Sequence, residues 1–391
     1  MILNNITILK GGRLIKTDIF FDQSVHYIKN NLSKGVDCTG LFLLPGLTNA
    51  HVHLGSRAVS GAALGLKKYE YFDNIGFKVH DRRKTIDVYK ASLLACLESI
   101  KEGVTHVDTM DMNPEPVIKA INKCKLGYTA CLAVKDAHKE KSSISKQFNQ
   151  TLELKKKYGN KIMLGLANEY ECTPQLIKEG LLFAQENDLP IHMHACETLE
   201  DVKHIKKLTG MRTIDYLNSL GMLEHDLRLA HCTYADSKDI LMLAENNVQV
   251  MHCPTSNKAI SDNAPPNKVM LNNNVKMLLG TDSYAWNPSS SILNEAWESY
   301  ELTGVTINQA YTMTHEPFGP ESEASFSLID MSQLKPFKTV SEFVAKIMNK
   351  NAIKSVYLKG KEIVRDGKNL LGINEEKLRN EVTKIRERLI T

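Results

Sequence analysis

His51 and His53 stand two residues apart in Leu44-Pro45-Gly46-Leu47-Thr48-Asn49-Ala50-His51-Val52-His53-Leu54, on what reads as a strand end. Side chains at i and i+2 share one strand face, so the two imidazoles converge on one point. Such a pair holds a metal only with ligands from elsewhere, and His194, His231 and Asp282 each follow a short apolar run that reads as a buried strand. One histidine after a strand is ordinarily a satisfied core or surface residue; a set at corresponding strand ends is not. Three imidazoles and one carboxylate suit zinc or ferrous iron, which leave a position for water. His51, His53, His194 and Asp282 are therefore the expected ligands of one divalent ion, Zn2+ before Fe2+. Glu197, three residues beyond His194, is placed to act as acid or base over the activated water. His231, in Ala230-His231-Cys232, is placed to bind that water or the metal itself.

These residues need a scaffold that gathers strand ends. Candidate strands lie at 42–49, 104–109, 127–134, 161–167, 189–195, 226–232, 247–253 and 275–281. Amphipathic helices separate them: Ile86, Tyr89, Leu93, Leu97 and Ile100 share a helical face, and a helix over about 174–187 ends before Asp188-Leu189-Pro190. This alternation predicts an α/β fold, a closed (β/α)8 barrel of the TIM type, usually roughly 250 residues long, with functional side chains at the C-terminal strand ends. An open doubly wound sheet is disfavoured, because no Gly-x-Gly-x-x-Gly turn follows a strand. Residues 1–45 alternate in strand fashion, and 321–391 return to strand-like segments (Ala324 to Asp330, Ser355 to Leu358) before an amphipathic helix over about 374–390. Residues 1–45 thus look like a small β unit with which the strands of 321–391 could pair, beside a barrel over 46–320.

Composition narrows the partners. A net charge of +4, from 49 basic and 45 acidic residues, is too small and too evenly spread to argue for nucleic acid. The eight cysteines form no Cys-x-x-Cys pair and read as reduced thiols. Met1 to Lys10 lacks a cationic region followed by an apolar core, and no apolar run approaches the roughly eighteen residues of a membrane span. A cytoplasmic enzyme with a small substrate and no membrane partner is expected; a homo-oligomer remains open.

The ordered set Pro45-Gly46-Leu47-Thr48-Asn49-Ala50-His51-Val52-His53, His194-Ala195-Cys196-Glu197-Thr198, Leu229-Ala230-His231-Cys232, His252-Cys253-Pro254-Thr255-Ser256-Asn257 and Leu279-Gly280-Thr281-Asp282 resembles the amidohydrolase superfamily. Within it, the set is similar to the aminohydrolase branch that holds cytosine deaminase, the methylthioadenosine/S-adenosylhomocysteine deaminases and the triazine chlorohydrolases. The resemblance implies a mononuclear metal hydrolase that deaminates a small heterocycle, with a small flanking β-sandwich domain made from both termini, 1–45 and 321–391. In it Asp282 would accept the water proton, His231 would orient the nucleophile, and Glu197 would protonate a ring nitrogen and help ammonia depart. Binuclear branches carry a carboxylated lysine at the end of strand four; here that end reads Asn168-Glu169, with Lys161 at the other end. Dechlorination or cyclic-amide opening at the same site is the alternative chemistry. A silent binding module is disfavoured by the intact ligand and acid/base set.

Other candidates carry less. His138-Lys139-Glu140 matches half of an unrelated deaminase zinc signature, but no Pro-Cys-x-x-Cys follows. His192 reads as structural, His252 as pocket support, and Cys196, Cys232 and Cys253 as neighbours of the ligands without chemistry of their own. The resemblance implies arginines after strand three and a histidine after strand four to hold a nucleoside's sugar and amino-acid portion. Lys135-Asp136-Ala137-His138 and Asn168-Glu169-Tyr170-Glu171 contain no arginine. Residues 54–81 read as a loop-rich lid. Substrate contacts are expected from Glu70 or Asp73 within it, from Asn168, and from Trp286 stacking on a flat ring. The stretch after Asp282 is short for the family.

Overall fold

The computed structural model describes residues 1–21, 35–137, 142–261, 263–316 and 324–391, with the backbone of 25–28. His138 to Glu140 and the expected boundary at 320/321 lie outside them. Parallel strands Leu47–His53, Val104–Asp111, Gly127–Val134, Leu164–Leu166, Ile191–Ala195, Leu227–His231, Gln249–His252 and Lys276–Leu279 lie side by side in chain order. Just past the eighth, Asp282 and Ser283 pair in parallel with Val52 and His53 of the first, so the sheet closes on itself. Closure is tight. A Cβ on Gly280 would sit 2.7 Å from the His51 carbonyl oxygen, and Asn49 exchanges hydrogen bonds of 2.8 and 3.0 Å with Thr281.

The strands are apolar on the face that helices such as Thr85–Lys101, Pro114–Cys124 and Pro174–Glu186 cover. Val107, Ile118, Leu166 and Ile177 belong to that continuous shell of core. The interior is crossed by side chains: Arg228 on strand six reaches Asp108 on strand two at 2.6 Å. Strand one carries one extra residue between Asn49 and Val52, opposite Val107 to Thr109. Bulges of this kind re-aim side chains beside active sites.

Three expectations need correction. The run 42–49 is two strands: Leu41–Pro45 belongs to the terminal sheet and Leu47–His53 to the barrel. The chain crosses between them at Gly46, where a Cβ would lie 2.2 Å from the Thr105 hydroxyl oxygen and 2.8 Å from the Ser325 carbonyl. Strand four shrinks to Leu164–Leu166 after a 3-10 turn at Gly159–Lys161. Ile86 is exposed in the first turn of its helix, whereas Leu93, Leu97 and Ile100 are buried as expected.

Both termini build a second sheet. Strands Phe326–Asp330, Ile353–Leu358 and Lys361–Arg365 run antiparallel outward from Leu41–Pro45, whose other neighbour is Ile2–Lys10, followed by Arg13–Phe21. The sheet curls until Phe21 stacks on Phe326 with ring centroids 4.8 Å apart. Leu3, Ile6, Ile19, Phe326 and Leu328 fill a core of their own there. Among the described residues no helix is long and apolar enough to cross a membrane.

The stretch 54–81 is short helical turns rather than open loop: Leu54–Val59, Lys68–Tyr71, Phe72–Gly76 and Phe77–Arg82. They roof the C-terminal mouth of the barrel. The terminal helix Glu375–Ile390 braces them from behind, since Ile385 and Leu389 pack with Ala58, Val59, Tyr71, Val79 and Trp286. Arg386 donates to the Ser60 carbonyl at 3.1 Å. After Asp282 the chain forms two helices, Ile292–Thr303 and Ile307–Thr312.

Candidate metal centre and active site

The barrel brings His51 and His53 from strand one, His194 from strand five, His231 from strand six and Asp282 from strand eight to one point. His51 Nε2 and His53 Nε2 lie 3.4 and 3.2 Å from Asp282 Oδ1, and His53 Nε2 lies 3.2 Å from His194 Nε2. Donors at the corners of a tetrahedron around a zinc ion are roughly 3.3–3.6 Å apart, given bonds of about 2.0–2.2 Å. Ligand atoms of His51, His194, His231 and Asp282 all fall within 4.8 Å of one another. His53 stands outside that foursome, yet its contacts put it equally close to the centre.

The backs of the rings decide the protonation. His53 Nδ1 faces the Met110 carbonyl, His194 Nδ1 the Ala167 carbonyl, and His231 Nδ1 the Asn257 Oδ1 at 2.8 Å. A carbonyl only accepts, so each Nδ1 carries a proton and Nε2 is the atom that each ring turns toward the centre. Asn257 is itself oriented by its amide nitrogen, which points to His252 Nδ1 at 3.4 Å. His192 Nε2 lies 2.9 Å behind His51 Nδ1. His192 thus backs His51, and His252 backs His231 through Asn257. On the opposite side Ser256 donates to Asp282 Oδ2, leaving Oδ1 for the centre.

This arrangement fits a divalent cation. His51 Nε2 and His231 Nε2 are buried without a hydrogen-bond partner. Burial draws His51 down to about 4 and His194 well below the ordinary histidine value. At His53 burial acts in the same direction, but the hydrogen bond and charge of Asp282 outweigh it and raise the ring to about 9. Converging lone pairs beside a carboxylate thus call for positive charge. The backbone is strained where it presents these groups: φ is +74° at His231 and +59° at Asp282, values uncommon outside glycine. Lys161 is at the far end of strand four, its ammonium over the Tyr128 ring, so it does not reach the centre to bridge a second ion.

Above the centre opens a cavity of about 180 Å³. His53, His194, Glu197 and Asp282 form its floor, and Val59, Tyr71, Phe72, Val79 and Trp286 an apolar side. Glu197 is buried, its Oε2 3.8 Å from His231 Nε2. That same oxygen accepts from Lys68 at 2.6 Å. Lys68 also reaches Asp201 at 3.1 Å, and the Tyr69 hydroxyl donates to Asp201. Lys68 ties the roof to Glu197, a contact that the sequence reading missed.

Asn168 lines the cavity, with its Oδ1 accepting from the backbone of Tyr170 and Glu171. Trp286 also lines it, while donating to the Leu66 carbonyl at 3.2 Å and packing edge-on against Tyr71. It is both wall and anchor for the roof. Glu70 and Asp73, by contrast, are exposed and do not line the cavity. In the turn Lys68–Tyr71 the inward positions are 68 and 71, which leaves 70 on the outer face. Cys196, Cys232 and Cys253 are buried, and burial raises all three thiols, which keeps them unreactive.

Residues 42–363 match the amidohydrolase family. The chain is 27% identical to a 5'-deoxyadenosine deaminase of Methanococcus vannielii, over 95% of this chain and 93% of that one. Its fold is similar to that of an adenosine deaminase from Xanthomonas campestris with bound zinc, at a TM-score of 0.84 and 18% identity, covering 99% of each chain. It is also similar to a guanine deaminase from C. acetobutylicum with guanine in its active site, at a TM-score of 0.80 and 19% identity, covering 93% of this chain and 99% of that one. With the family match spanning most of the sequence and the His/Asp cluster at the strand ends where the fold exposes function, the chain belongs to the amidohydrolase family.

Proposed function

We propose that this protein is a metal-dependent deaminase that replaces the amino group of a small nitrogen heterocycle by oxygen and releases ammonia. The observation that carries this reading is the position of Glu197, a buried carboxylate at the cavity wall, 3.8 Å from His231 Nε2 and beside the converging imidazoles. Relatives named as deaminases of purine compounds, such as the 5'-deoxyadenosine deaminase, point the same way.

His51, His53, His194 and Asp282 would hold one divalent ion, zinc before ferrous iron, which when bound supplies Lewis acidity and lets water act as a nucleophile near neutrality. Asp282 takes the proton released by the attacking water, with its other oxygen fixed by Ser256. His231, held by Asn257, orients the water. Glu197 delivers a proton to the ring nitrogen next to the carbon under attack and then assists the departing ammonia. Tyr71, Phe72 and Trp286 give a flat ring an apolar wall. The eight cysteines, all free, suit a reducing compartment such as the cytoplasm.

The test is ammonia release by zinc-loaded protein across aminated purines, pyrimidines, pterins and triazines. Turnover of at least one ring amine, lost on chelation and restored by zinc, is expected. Chloride release or ring opening without ammonia on that panel overturns deamination in favour of another hydrolysis.

A further inference from the structure

Three permanent cations line the cavity: Lys68, Lys135 and Arg83. Two are matched by carboxylates. Lys68 lies between Glu197 and Asp201, and Lys135 reaches Glu171 Oε1 at 2.9 Å. Arg83 differs. Its hydrogen bond is a long one, Nη1 to the Gly55 carbonyl at 3.4 Å, and among the described residues it forms no ion pair. Asp111 is the acid whose charge it feels most, but that carboxylate is engaged elsewhere: Gly55 N–H donates to Oδ1 at 3.1 Å and the Thr109 hydroxyl to Oδ2 at 2.7 Å.

A guanidinium does not lose its proton in a protein, so a partly buried one without a matched anion is an unfavourable arrangement unless a ligand completes it. A Cβ on Gly55 would stand 2.9 Å from Asp111 Oδ1, so glycine here lets that carboxylate close in, and Arg83 Nη1, 3.5 Å from the same point, faces the same corner of the cavity. The planar fork of an arginine fits a carboxylate with two parallel hydrogen bonds.

We infer that Arg83 is a specificity residue that receives a carboxylate on the substrate, so that this site prefers flat ring amines bearing a carboxylate over neutral ones. The inference rests on the deaminase reading for the word substrate, but its test reads binding alone. Zinc-loaded protein carrying Glu197→Gln, which cannot turn ligand over, is titrated calorimetrically with matched pairs: pterin-6-carboxylate against pterin-6-carboxamide, and adenosine 5'-carboxylate against its 5'-carboxamide.

The carboxylate of at least one pair should bind about ten- to a hundredfold more tightly, the range expected for a charged hydrogen bond. Adding Arg83→Met should erase that preference, and Arg83→Lys should keep part of it. Equal or weaker binding of the carboxylate in both pairs overturns the inference without any change at Arg83. So does a preference that survives Arg83→Met. A preference that depends on Arg83, in a protein that releases no ammonia from any ring amine, would leave the assignment of Arg83 standing and remove the deaminase reading.

Discussion

Below the mouth of the barrel, Asp108 accepts hydrogen bonds from Arg228 at 2.6 Å, from His106 at 3.1 Å and from the Thr129 hydroxyl. Three residues beyond Arg228 on strand six stands His231, and with it the mouth cluster of His51, His53, His194, His231 and Asp282, which turns lone pairs toward lone pairs and leaves Nε2 atoms of two rings without a partner. Both clusters lie inside one barrel and both mix histidine with aspartate. The lower one is complete in itself, donors matched to acceptors, and its chemistry ends in stability. The upper one is held rigid from behind and left incomplete in front, which is the arrangement a bound ion needs. A buried polar group that lacks its complement is thus a better guide to function here than burial or charge alone.

The contrast can be broken in several ways. The largest effect should come from Glu197→Gln, which removes the proton carrier but no ligand: turnover should fall by about a thousandfold or more while zinc content by elemental analysis stays at one per chain. Retained turnover would take Glu197 out of the acid/base role. Next, Arg228→Met strands the Asp108 carboxylate in the interior and should cost about 3–5 kcal/mol in urea unfolding with zinc content unchanged. Loss of zinc from a folded Arg228→Met protein would show that the two clusters are not separate.

A smaller effect is expected of His192→Phe, which removes the support behind His51. Zinc affinity by competition with a chelator should weaken about ten- to a hundredfold, while the barrel stays folded. The smallest is a pH effect at the lower cluster. Burial alone would raise Asp108, but hydrogen bonding and charge from His106, with Arg228, bring it down to about 2. A carboxylate depressed in the folded state contributes stability above its unfolded value near 3.9, and that contribution is lost as pH falls from there toward about 2. Stability measured down that range should drop more steeply for the parent than for Asp108→Asn, by on the order of 2 kcal/mol. Parallel curves would mean that Asp108 keeps its ordinary acidity.

Much of the upper cluster could be read from sequence because its members sit at strand ends, where a short apolar run followed by histidine or aspartate is visible without a structure. The i, i+2 pair was the most legible, since strand geometry alone brings His51 and His53 together. Less visible were the groups that act through another. Asn257 lies inside the stretch His252 to Asn257, yet its hold on His231 depends on a helix, Pro254–Ser261, turning back toward strand six. Lys68 sits in a segment with no sustained period, where four short turns replace one another and residue type gives no hint of which side faces in. The positive φ values at His231 and Asp282 could not be foreseen either: histidine and aspartate adopt them more often than most non-glycine residues, but still in only a small minority of positions. The division of 42–49 into two strands was signalled by Pro45-Gly46, a pair that punctuates chains, but the apolar run around it masked the signal.

The brace between the terminal helix and the roof has a practical side. Arg386 touches Ser60 across 326 positions of sequence, and Leu389 packs with the same residues that form the apolar wall of the cavity. In a random-mutagenesis screen for altered substrate range, hits at the C-terminal end would look unrelated to catalysis. They would instead be adjusting the tilt of the ceiling over the bound ring.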